Sequence, residues 1–156
     1  MRSMSSLIHK LKTDYPDIIF FETDSFAWSP ATHTVHYAPK IKNAPELLLH
    51  ELSHAILDHH EYQRDIQLLA METAAWEQAK KLAEQYRSPL SEDVIQDHLD
   101  TYREWMHARS TCPECTATGY QTAQSEYSCP ACAHQWRVNE ARLCGLKRYA
   151  KLKTLQ

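Results

Sequence analysis

Two groups of residues in this chain have the types and spacing that bind metal ions. The first is His50-Glu51-Leu52-Ser53-His54. On an α-helix, residues four apart share one face about 6 Å apart along the axis, so both imidazoles can grip one zinc ion. Glu51 sits beside that face, placed to take a proton from a water on the metal, which is the chemistry of hydrolysis. A catalytic zinc keeps one position open for water and so needs a third protein ligand. The candidates are Glu72, 18 residues beyond His54, and His60, six residues beyond it, with Glu77 in reserve on the helix expected to carry Glu72.

The second group is Cys112-Pro113-Glu114-Cys115 and Cys129-Pro130-Ala131-Cys132, spaced C-x2-C-x13-C-x2-C. Each pair makes a knuckle whose backbone turn presents two thiolates, and two knuckles complete a closed tetrahedral site. With no open position, this zinc is expected to be structural, and a ribbon of about 30 residues depends on it to fold. His134 lies just past the last knuckle, and Cys144 is left over to pack against the ribbon or a terminal helix. His33, His36, His98 and His107 have no ligand spacing.

These groups need elements to position them. Residues 2–13 read as a short helix with Leu7, Ile8 and Leu11 on one face, ended by Pro16. Residues 18–22 and 34–37 are β-branched and aromatic and read as strands, joined through the turn signal Ser29-Pro30-Ala31-Thr32 and expected to pair as a hairpin. Asn43 and Glu46 have the spacing of a capping box at the head of a helix over 44–57, buried through Leu48, Leu52, Ala55 and Ile56. A second helix over 64–86 carries Leu68, Met71, Ala75, Ala79 and Leu82 at helical spacing, with Ser88-Pro89 as its breaker. Ser91 caps a third, with Ile95, Leu99, Tyr102 and Met106 as its stripe. Trp76 and Trp105 lie on apolar stripes and are expected in the core. The texture changes at Ser110, and residues 139–153 read as a terminal basic helix.

The string HELSHAILDH, followed by a helix bearing E-x-x-A-x-x-x-A, resembles the ImmA/IrrE-like metallopeptidases over roughly residues 15–87. The resemblance implies a minimal zincin core: an N-terminal helix, a short sheet whose edge strand receives substrate, the HExxH helix and a glutamate-bearing helix. It makes His50 and His54 ligands, Glu51 the general base and Glu72 the third ligand, with a structural role for His59. Ser53 and Asp58 stand where that family often has glycine, and Gln78 where it often has an aromatic. His60 sits where a metzincin places its third histidine, but Leu57 occupies the position of the glycine that would turn the chain back. A zincin followed by a four-cysteine ribbon is also similar to the SprT-like proteases, which act on DNA-associated proteins. Their downstream histidine ligand is not matched.

The chain has 156 residues, 43% hydrophobic and 24% charged, enough for a sizeable core. Its two glycines exclude glycine-rich phosphate loops and dinucleotide fingerprints. No apolar run spans a membrane or makes a signal-peptide core, so a cytoplasmic protein is expected, where cysteines serve as ligands rather than disulfides. Residues 1–110 carry 11 Lys/Arg against 17 Asp/Glu, and residues 111–156 carry 6 against 3. The basic stretch from Trp136 to Lys153, interleaved with aromatics, suits nucleic acid as well as a solvated face.

The expectation is therefore an α+β chain. Residues 1–109 form a zincin-like metallopeptidase domain, helices packed on a small β-sheet, with one catalytic zinc. Residues 110–156 form a zinc ribbon with one structural zinc. The expected activity is hydrolysis of a specific intracellular protein, a repressor or antitoxin by resemblance, with the substrate lying along an edge strand within 34–37. The alternatives are a SprT-like DNA-associated protease and a non-catalytic module binding DNA or protein.

Overall fold

A computed structural model of the chain describes residues 3–141 and 146–150. They form an α+β structure of four helices and two small sheets, in the order α1 (Met4–Asp14), β1 (Ile19–Glu22), β2 (Ala27–Ser29), β3 (Thr34–Tyr37), α2 (Ala44–Ile56), α3 (Asp65–Tyr86), α4 (Glu92–Ser110), β4 (Tyr120–Ala123), β5 (Glu126–Ser128), β6 (Gln135–Val138) and β7 (Arg148–Ala150). The chain divides into two compact units, one of residues 1–61 and 70–97, the other of residues 62–69 and 98 onward. No described helix is long and apolar enough to cross a membrane.

In the first unit, α1 starts at Ser3, whose hydroxyl accepts from the Ser6 N–H at 3.2 Å, and it buries Leu7 and Leu11 completely. The three-stranded sheet has the order β1-β3-β2. This corrects the expected hairpin: β1 pairs with β3 in parallel, and the hairpin partner of β3 is β2. Ala27-Trp28-Ser29 is too short to signal a strand, although the turn at residues 29–32 was legible and does close the β2–β3 hairpin. The same topology overturns β3 as an edge for substrate. It is the central strand, with Thr34, Val35 and Tyr37 buried, and the edges are β1 and β2.

Helix α2 lies against β3 and β2 and buries Leu48, Leu49 and Leu52 completely. It begins without the expected capping box. Asn43 is left-handed, with φ 61°, and its side chain makes no cap hydrogen bond. A capping residue must be extended to aim its side chain back along the helix, and Pro45 in the first turn removes one N–H that would need a cap. Glu46 still places a carboxylate at the positive end of the helix dipole. Helix α3 buries Leu68, Ala75, Trp76, Ala79 and Leu82 on one face. At the head of α4, the Asp93 N–H donates to the Ser91 hydroxyl at 3.1 Å.

In the second unit, the antiparallel sheet β4-β5-β6-β7 packs Tyr127, Trp136 and Val138 with Cys112 and Cys129. Gly119 is required by close approach: a Cβ there would stand 2.4 Å from the Trp136 ring and 2.8 Å from the Ser128 carbonyl. Beside this core, Arg109 donates to both oxygens of Asp65 at 2.8 and 3.3 Å. The Tyr127 hydroxyl donates to the same carboxylate, and the Asp65 N–H donates to the Gln121 side chain at 2.7 Å. Such a buried pair is tolerable because each charge keeps several partners.

The expected terminal helix over 139–153 is corrected where it is described. Residues 148–150 form β7, paired with β6 from Val138↔Arg148 to Trp136↔Ala150. The open edge of β6 overrides the helical propensity of that segment. Residues 139–141 and 146–147 are not helical either, and residues 142–145, with Cys144, and 151–153 lie outside the described residues.

Candidate metal centres

Helices α2 and α3 bring His50, His54 and Glu72 together. The Nε2 atoms of His50 and His54 lie 2.7 and 3.2 Å from one Glu72 carboxylate oxygen and 3.1 Å from each other. An ion held tetrahedrally at about 2.0–2.1 Å needs ligand atoms about 3.3 Å apart, so the triangle seats one after opening by a few tenths of an ångström. The donor set fits as well: two imidazole nitrogens and a carboxylate oxygen, converging on one point, are groups that bind zinc. His50 is completely buried, and His54 and Glu72 are each 6% exposed, so the three side chains are held rather than solvated.

The charges fit that arrangement. Burial opposes ionisation of Glu72, but hydrogen bonds from His50 and His54 hold its carboxyl well below the usual carboxylate range. Burial works against protonation of His54, but the Glu72 hydrogen bond and the charges of Glu72 and Glu51 raise its pKa on balance. Glu51, next to the triangle, is pushed up to about 7 by burial, with the nearby Glu72 charge adding and His54 opposing. A carboxyl titrating near neutrality is suited to exchange protons with substrate and water.

Two flanking contacts were not foreseen from the spacing. Trp76, one turn beyond Glu72, is buried as expected, but its ring also stacks on His50, with centroids 4.2 Å apart. His59 approaches His54, Nδ1 to Nδ1, at 2.8 Å. A positional signal existed in the first case, because residues four apart on α3 share a face. The second depends on how α2 ends.

The other third-ligand candidates are elsewhere. His60 is exposed and pairs with Asp58 at 3.2 Å, and Glu77 is exposed and accepts from Lys80 at 2.9 Å. His33 is exposed, with Nδ1 3.0 Å from the Asp17 carbonyl.

In the second unit, Cys112, Cys115, Cys129 and Cys132 converge, with all four sulfurs within 4.8 Å of one another. The closest pairs, Cys115–Cys129 at 3.4 Å and Cys112–Cys132 at 3.7 Å, are far longer than a disulfide and match the edge of about 3.8 Å expected of sulfurs around a zinc at 2.3 Å. The backbone N–H groups of Cys132 and Ala131 bring the Cys129 thiol down to about 7. The His134 N–H favours the thiolate of Cys132, but burial and the neighbouring thiols outweigh it and push that group up to about 12. These four cysteines are together able to hold a metal ion.

Of the basic stretch, Arg137 is exposed and lies over the Tyr149 ring at 5.0 Å, and Arg148 donates to the Thr111 carbonyl. Arg142, Lys151 and Lys153 lie outside the described residues. Comparison with protein-family models, with characterised proteins and with solved structures finds no match for this chain.

Proposed function

We propose that the first unit is a zinc metallopeptidase with a minimal zincin core, similar to the ImmA/IrrE-like enzymes, and that the second is a zinc ribbon. The observation that carries this reading is the triangle of His50, His54 and Glu72 ligand atoms, with the neutral-range carboxyl of Glu51 beside it. Zinc held there would polarise a peptide carbonyl and lower the pKa of water. Glu51 takes the proton of the attacking water and passes it to the leaving amine. Trp76 keeps the His50 ring in its plane while this happens.

Substrate lies extended along the outer edge of β2 by main-chain pairing. That edge replaces the one expected in β3, and the Trp28 indole, on β2, donates to the His59 carbonyl at 3.0 Å, which ties the strand to the end of the ligand helix. An extended peptide segment is the expected substrate, and the cysteine site holds the ribbon in shape without taking part in the chemistry.

The test uses the full chain loaded with zinc and a mixture of random decapeptides read by mass spectrometry. New termini are expected, lost on adding 1,10-phenanthroline and regained with zinc. An unchanged mixture with both sites filled would remove the peptidase reading and leave a metal-binding module for DNA or protein.

A further inference from the structure

Helix α2 ends in a Schellman cap. Asp58 is left-handed, with φ 54°, the His59 N–H donates to the His54 carbonyl at 3.0 Å, and the Asp58 N–H donates to the Ala55 carbonyl at 3.1 Å. In this cap the first residue beyond the left-handed one sets its side chain against the residue five before it, usually as an apolar pair. Here both are histidines, with ring centroids 5.0 Å apart and their Nδ1 atoms 2.8 Å apart. The carbonyl of His59 also accepts from the Trp28 indole, so its backbone is held by the helix on one side and by β2 on the other.

Two nitrogens at that distance bond only if one of them carries the proton. His54 turns Nε2 toward His50 and Glu72, and with a metal ion on Nε2 the neutral ring keeps its proton on Nδ1. His54 is then the donor, and His59 must be bare at Nδ1, with its own proton on Nε2. We propose that His59 is a positioning residue that fixes the tautomer and ring orientation of His54 by accepting its Nδ1 proton. This rests on the reading of His54 as a metal ligand. Ligating histidines are commonly oriented by a carboxylate or a carbonyl. A neutral imidazole does the same work without adding charge, leaving Glu72 as the one formal negative charge among His50, His54 and Glu72.

The test compares zinc affinity of the full chain, by competition with a chromogenic chelator, in wild type, His59→Asn and His59→Leu. The asparagine Oδ1 stands the same number of bonds from Cβ as Nδ1 and can accept the proton, whereas leucine fills the space and cannot. Zinc binding at the histidine site is expected to weaken about 10–100-fold in His59→Leu and to stay within about threefold of wild type in His59→Asn. The cysteine site serves as the internal reference. Long-range nitrogen–proton NMR of the zinc-loaded wild type reads the tautomers without any variant, with protons expected on Nδ1 of His54 and Nε2 of His59. Wild-type affinity in His59→Leu, equal weakening in both variants, or a proton on His59 Nδ1 would overturn the proposal alone. A wild type that fills only the cysteine site would overturn the metal-ligand reading and this inference with it.

Discussion

Glu51→Gln is expected to slow peptide hydrolysis by about 10²–10⁴-fold, the usual contribution of a positioned general base, while leaving bound metal unchanged. Glutamine keeps the shape and hydrogen-bonding capacity of the side chain but cannot accept the proton of the attacking water. The same substitution should make the metal-free protein more stable. Folding raises the Glu51 carboxyl from an ordinary 4.5 to about 7, so the folded state favours the protonated form. Stability tied to this group is complete at low pH, falls as pH rises from about 4.5, and reaches its full deficit above about 7. That deficit is about 3 kcal/mol at 1.36 kcal/mol per unit. Metal-free Glu51→Gln should therefore melt several degrees above wild type at pH 8 and together with it at pH 4. Equal melting at pH 8 would show that the carboxyl is not held in the environment described.

Replacing Cys112 and Cys129 together by serine is expected to release one metal ion and unfold β4–β7. The buried core there consists of Cys112, Tyr127, Cys129, Trp136 and Val138, so two of its five members belong to the candidate metal site. So small a core does not stabilise a sheet by itself, whereas a structural zinc site contributes about 10 kcal/mol or more. The loss should appear as exposure of Trp136 in its fluorescence and as fast hydrogen exchange in β5 and β6. Acidification should act similarly, because thiols must deprotonate to bind, and the Cys129 thiol ionises before that of Cys132. Persistent exchange protection in a metal-free sheet would mean that the Asp65–Arg109–Tyr127 cluster holds the unit alone.

The convergence of these side chains was more legible than the architecture. His50 and His54 are a fixed helical step apart, and the two cysteine pairs are local knuckles, so spacing alone foretold that each set could converge. Glu72 was singled out by its distance from His54 and by the resemblance of its helix, and α3 does bring it to both histidines. Strand order was not legible, since β2 has three residues with no alternation, and nothing in the sequence of β1 distinguishes parallel from antiparallel pairing with β3. The start of α2 was misread because a capping box is defined by spacing, while a cap works only through backbone conformation, and Asn43 is left-handed. Residues 148–150 have a helical composition but meet an unpaired edge. His59 was given a structural role by resemblance alone, and its contact with His54 was not legible because the left-handed turn at Asp58 creates it, at a position without glycine to announce it.

The most direct measurement is zinc per chain by plasma mass spectrometry, for wild type and Glu72→Ala purified identically and dialysed against the same metal buffer. Two ions falling to one is the expected result, placing Glu72 in a second site that is separate from the four cysteines. One ion in both proteins, or two in both, would contradict the triangle of His50, His54 and Glu72 as a metal site.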